Sequence, residues 1–182
     1  YETTFKDGKI GGEKGEYPYL LFNPHYFRRS HSVFDNCPWL REAWANPVFL
    51  NASDAKEKGI EEFFRAAEVL HSEKVLFSIC GYCDEDYQEE LDERASRGEI
   101  LQLGFHPDMH EFYRDCSAVV MPTWHEGMSN VLMEASACAR PVIASNISGC
   151  REIFEDGVTG YGFAPHSPEE LIRTLRHFLT LD

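Results

Sequence analysis

Pro122-Thr-Trp-His-Glu126-Gly-Met-Ser-Asn130-Val-Leu-Met-Glu134-Ala135 is the stretch whose reading decides the fold. Before it, Cys116-Ser-Ala-Val-Val-Met121 is a short apolar run that reads as a buried strand ending at Pro122. After it, Asn130 to Cys138 carries Val131, Leu132, Met133 and Ala135 at helical spacing, with Ser129 or Asn130 available as the cap. A strand, a glycine-containing turn and a helix start make an anion site, because unpaired N–H groups and the helix dipole point the same way. Glu126 lies in the turn and Glu134 about one helical turn past Asn130. Two acceptors flanking an anion cradle suit a molecule with both phosphates and hydroxyls, such as a nucleotide sugar.

Working outward, strands and helices alternate. Val48–Asn51 reads as a strand, and Gly59–His71 as a helix with Ile60, Phe63, Phe64, Ala67 and Leu70 on one face. Val75–Cys80 is the next strand, Asp84–Arg97 an acidic solvated helix, and Ile100–Leu103 a strand. A helix over Asp108–Cys116, capped by Asp108, precedes the 118–121 strand and the 129–138 helix. Pro141–Ala144 is extended, a short helix falls near 148–154, and Tyr161-Gly-Phe163 follows the Asp156-Gly157 turn. Ser167-Pro168 opens a last helix to Leu179, with proline at its first position. Repeated βα units predict an α/β fold with a doubly wound parallel sheet, Rossmann-like, whose ligands lie beyond the strands' carboxyl ends. Residues 1–47 break the pattern, with a Gly-rich stretch (7–15), a possible strand Tyr19–Phe22 and an aromatic segment, Phe34–Trp44. They read as an atypical N-terminal segment or interdomain connection, and 48–182 as the binding domain.

The 182 residues suffice for one sizeable core, and 43% apolar content is ordinary for a globule. No run approaches the roughly 20 apolar residues of a membrane span, and no signal peptide is visible. The first residue is Tyr1, so the chain reads as a piece of a longer protein. A formal charge of −14 argues against sequence-independent nucleic-acid binding and against a membrane-docking role for this half. The six cysteines are scattered, several in apolar runs, and predict a reducing cytoplasm.

A resemblance now bears on the same residues. The 126–135 segment, Ala137-Cys-Ala-Arg-Pro141-Val-Ile-Ala-Ser145, Ser148-Gly-Cys-Arg-Glu152-Ile and Asp156-Gly-Val-Thr-Gly160 resemble the donor-binding C-terminal half of family-four (group 1) GT-B glycosyltransferases. Leu103-Gly-Phe-His106, Phe112–Ser117 and Lys56-Glu-Lys-Gly-Ile60-Glu-Glu-Phe extend the match, in family order, over roughly 48–182. The resemblance implies a retaining hexosyltransferase-type enzyme that takes sugar from a nucleotide sugar, often a UDP-sugar, and passes it to an acceptor hydroxyl. It also implies no metal for donor binding, and no Asp-x-Asp stands here to suggest one. The acceptor-binding N-terminal half is absent from the chain. By analogy the product is surface polysaccharide, and a basic, apolar upstream half would point to a lipid-linked acceptor and a peripheral membrane protein.

By the same resemblance Glu126 orients the donor sugar, Glu134 accepts from the ribose hydroxyls, and Gly127, Met128, Ser129, Asn130 and Val131 line the diphosphate or sugar. Lys58 meets a phosphate, and His106 the base or phosphate. Each residue has a plainer reading. Thr123-x-x-Glu126 fits a capping box, Glu134 a first-turn acid, and 127–130 simple turn chemistry. Lys58 and His106 could be surface groups, and Arg151 and Glu152, read as a structural ion pair, stay outside the site. The family's usual Arg, about five residues before Lys58, is Ser53 here; Lys56 would compensate only as a point charge. Two other functions remain: a non-catalytic nucleotide-sugar-binding or interaction module, and a thiol oxidoreductase built on Cys80-Gly-Tyr-Cys83, which the acidic Asp84-Glu-Asp86 disfavours.

Overall fold

A computed structural model describes residues 19–22, 55–73, 75–81, 85–106 and 108–181. The elements, in chain order, are β1 (Tyr19–Phe22), α1 (Ile60–Leu70, continued by a 3-10 turn at His71–Glu73), β2 (Leu76–Cys80), α2 (Glu85–Ser96) and β3 (Ile100–Gly104). Then come α3 (His110–Asp115), β4 (Ala118–Met121), α4 (Asn130–Ala137), β5 (Val142–Ser145), β6 (Gly160–Phe163) and α5 (Pro168–Leu179).

The sheet runs β3-β2-β1-β4-β5-β6, and all five pairings are parallel. This is the doubly wound, Rossmann-like order, in which the direction of winding reverses between the first and fourth strands. Helices must cover both faces of such a sheet, so its central strands lack polar alternation. Accordingly every residue of β4 and β5 is buried. On α1 the expected face (Ile60, Phe63, Phe64, Ala67, Leu70) is buried, with Phe63 meeting Phe77 of β2 edge-on at 5.4 Å. Proline at the first position of α5 and a Ser167 cap accepting from the Glu170 amide start that helix as expected, and Leu171, Ile172 and Leu175 bury its inner face.

Three expectations change. Tyr19–Phe22 is a strand in the middle of the sheet, paired with β2 at Leu21↔Ser78 and with β4 at Leu21↔Val119, although it comes from the segment set apart as 1–47. Residues 148–154 form turns instead of a helix: Gly149 is left-handed (φ 88°), outside the helical region, and its amide is held by the Glu152 carboxylate. The third helix begins at His110 after Met109, one residue later than an Asp108 cap requires, while Asp108 still accepts from the His110 amide at 3.0 Å. The strand expected at Val48–Asn51, the Gly-rich and aromatic stretches before it, Ser53 and Cys83 lie outside the described residues.

Candidate functional site

The loop that leaves β4 at Met121 and enters α4 at Asn130 sits where the winding reverses, at the carboxyl end of the strands. Ser129 is its cap: the hydroxyl accepts from the Leu132 amide at 3.4 Å and the carbonyl from Met133 at 3.1 Å. Among the described residues no protein acceptor takes the amides of Asn130 and Val131, the first two of the helix. Those N–H groups and the positive end of the helix are the anion site read from the sequence. Gly127 and Met128 project beside it, the latter 48% exposed.

Glu126 takes no part in a capping box. Its carboxylate receives Lys58 Nζ at 2.5 Å, and both side chains are nearly out of solvent, 11% exposed for Lys58 and 5% for Glu126. The two residues are 68 positions apart, and a clamp brings them together. The Glu57 carbonyl accepts from the Trp124 amide at 2.7 Å and from the Thr123 hydroxyl at 3.2 Å. Gly59, left-handed at φ 78°, lies against Pro122 so closely that a Cβ there would stand 2.1 Å from the Pro122 carbonyl oxygen. Trp124 in turn donates its indole N–H to buried Glu62 at 2.9 Å and packs on His166 with ring centroids 4.3 Å apart. Lys58 therefore stands at the mouth of α1, where the dipole opposes it, with its charge answered by Glu126.

The remaining residues sit to one side. Glu134 Oε2 accepts from the hydroxyl of buried Tyr113 at 3.3 Å. His106 turns a ring nitrogen to the Leu103 carbonyl at 2.8 Å and packs on Phe112, centroids 4.5 Å apart. The site thus unites Lys58, Glu126, Gly127 and the 129–131 helix start, with Glu134 and His106 leaning on neighbouring residues of α3. Lys56 lies 3.5 Å from Glu61 at the surface.

Sequence reading missed the residues beneath the loop. Gly149 donates its amide to Glu152 Oε2 at 2.8 Å, and its carbonyl accepts from the Ser129 amide at 3.0 Å. The signal was present in Ser148-Gly-Cys-Arg-Glu152, a hydroxyl and a carboxylate bracketing a glycine, the pattern of a capped turn. Glu152 also meets Arg151 at 3.3 Å, as expected, but its own amide and that of Gly149 are the main reasons its carboxyl titrates below the usual range.

The thiol reading fails at Cys80. Burial pushes that thiol from 9.0 up to about 12, opposite to what a reactive cysteine needs, and it faces the Gly104 carbonyl and Met109 sulfur, each at 3.2 Å. Cys116 and Cys150 are raised to about 12, again chiefly by burial, and Cys150 further by the charge of Glu126. The sign follows from linkage: the unfolded thiol ionises from about pH 9 while the folded one keeps its proton, so stability is intact below pH 9 and falls as pH rises toward 12. The stability gap between wild type and Cys116→Ala, measured by urea unfolding, should narrow by about 1 kcal/mol from pH 8 to pH 10. An unchanged gap would show that Cys116 reaches solvent in the folded chain.

Comparison with known proteins bears on the family and the fold. Residues 46–180 match the family model described as glycosyl transferases group 1. The N,N'-diacetylbacillosaminyl-diphospho-undecaprenol alpha-1,3-N-acetylgalactosaminyltransferase of Campylobacter jejuni is 30% identical over 113 residues, 62% of this chain and 30% of that protein. D-inositol 3-phosphate glycosyltransferase of Paenarthrobacter aurescens is 28% identical over 123 residues, again 62% of this chain and 30% of that protein. The matched part is thus under a third of these relatives' length. Among solved structures, HepE of Anabaena in complex with UDP-glucose superposes with TM-score 0.62 at 21% identity, covering 90% of this chain and 39% of that one. WaaG, a glycosyltransferase involved in lipopolysaccharide biosynthesis, superposes with TM-score 0.64 at 22% identity, covering 92% and 40%. With a family model spanning most of its length and a Rossmann-like sheet shared with GT-B glycosyltransferases, this chain belongs to the group 1 glycosyl transferases.

Proposed function

We propose that this chain is the donor-binding half of a retaining glycosyltransferase and holds a nucleotide sugar, a UDP-sugar, at the β4–α4 loop. The observation that carries the reading is the Lys58–Glu126 pair set beside the unpaired amides of Asn130 and Val131. Diphosphate oxygens on those amides and Lys58 would leave charge growing on the departing group stabilised by fixed dipoles and one cation. In this reading that charge is met by protein groups, with no metal ion. Glu126, released from Lys58, accepts from a hydroxyl of the sugar and orients its anomeric carbon, and Glu134 accepts from the ribose. His106 contributes to the wall on the base or phosphate side.

Transfer requires an acceptor-binding half supplied by another part of the protein, so the acceptor is not read from these residues. A role in surface polysaccharide synthesis on the cytoplasmic side is the corresponding proposal. No helix of the described residues is long and apolar enough to cross a membrane.

Isothermal calorimetry with UDP, UDP-sugars and GDP-sugars tests the reading. Glu134→Ala should weaken UDP binding by roughly 10- to 100-fold, the worth of hydrogen bonds to a charged acceptor. Undiminished affinity in that variant would remove Glu134 from the site. Wild type that binds none of the nucleotides would favour a non-catalytic interaction module.

A further inference from the structure

Glu152 lies outside every role assigned so far, yet it holds the residue on which the binding loop rests. Gly149 is used at three points: its amide is held by Glu152 Oε2 at 2.8 Å, its carbonyl holds the Ser129 amide at 3.0 Å, and its Cα faces the loop's backbone. A Cβ at that position would stand 2.5 Å from the carbonyl oxygens of both Glu126 and Gly127. Gly149 is left-handed, φ 88°, and no helix encloses it. Glu152 holds the Ser148–Gly149 peptide, while the Gly149–Cys150 peptide that anchors Ser129 gives its own N–H to the Ile147 carbonyl at 3.3 Å, so the two are coupled through the Gly149 Cα. Glu152 Oε1 is braced by the Ser148 hydroxyl and by Arg151 Nε, each at 3.3 Å.

We propose that Glu152 is a positioning residue for the donor diphosphate: by orienting the Gly149 peptide it sets where the Glu126–Ser129 turn and the first amides of α4 stand. The inference rests on the functional reading above and extends it to a residue that this reading gives no contact with the donor. Losing the carboxylate frees the Gly149 amide, and the Ser129 anchor and the turn above it then shift together. Sub-ångström displacement of preorganised donors weakens their grip on a charged oxygen while leaving contacts elsewhere on the nucleotide in place.

The readout is the ratio of UDP to UMP affinity, because only UDP carries the second phosphate. Calorimetry on Glu152→Ala should show UDP binding weakened about tenfold and UMP binding changed less than about twofold, as expected for one lost charge-assisted hydrogen bond in the cradle. Glu152→Gln, which keeps an acceptor oxygen, should recover most of the ratio. Hydrogen exchange at the Ser129 amide should quicken by about tenfold in Glu152→Ala while the amides of β5 stay protected. Equal weakening of UDP and UMP, or an unchanged ratio together with unchanged Ser129 exchange, overturns the proposal while leaving the functional reading intact. Wild type that binds neither nucleotide overturns the functional reading and this inference with it.

Discussion

Lys58→Met is expected to lower the unfolding free energy by about 3–5 kcal/mol and to abolish binding of a nucleoside diphosphate. The stability loss follows from the Glu126 carboxylate, which is 5% exposed and has Lys58 at 2.5 Å as its ion-pair partner. Stripping the ammonium leaves a desolvated charge, and the carboxylate must then draw in water or a proton. Removing both charges avoids that penalty: Lys58→Met with Glu126→Leu should recover most of the lost stability without recovering diphosphate binding. Urea unfolding and UDP calorimetry on wild type, single and double variants separate the two effects. A single variant within about 1 kcal/mol of wild type would show that solvent reaches the pair.

Gly59→Ala should be at least as damaging, at about 3–5 kcal/mol, for a different reason. Gly59 has φ 78°, a conformation costing an alanine on the order of 1 kcal/mol by itself. The added methyl would also stand 2.1 Å from the Pro122 carbonyl oxygen and 2.6 Å from its carbon, both backbone atoms held at the end of β4. The start of α1 must then back away from the loop, breaking the 2.7 Å bond from the Trp124 amide to the Glu57 carbonyl and separating Lys58 from Glu126. Gly157→Ala is the control, since φ is 76° there but nothing lies within 4 Å of the new methyl. It should cost about 1 kcal/mol, and equal midpoints for the two variants in thermal unfolding would refute the close-approach argument.

These two sites mark the limit of what the sequence discloses. The 118–121 strand, the apolar face of α1 and the Ser167-Pro168 start of α5 were legible because local periodicity and capping chemistry set them, while the cap of α4 was narrowed only to Ser129 or Asn130. Lys58 and Glu126 were each singled out as candidates, but not as each other's partner, since a contact spanning 68 positions leaves no local trace. The 148–154 stretch misled because a hydroxyl, an arginine and a glutamate suit a helix, whereas Gly149 and the Glu152 carboxylate impose a turn. Tyr19–Phe22 was readable as a strand but not placeable: four extended residues among Gly-rich and aromatic neighbours say nothing of which strands flank them.

The position of that strand bears on how the chain assembles. Leu20 pairs with Phe77 on one side and Ala118 on the other, so its neighbours lie 57 and 98 positions downstream (77 − 20 and 118 − 20). Loops of that size close late, because their entropy is lost before any pairing repays it. The β2–β3 ribbon and the β4–β5–β6 ribbon can each form from short connections, and within the described sheet this strand lies between them. Without that strand, β2 and β4 would each present an unpaired edge, the kind of surface that pairs with another chain.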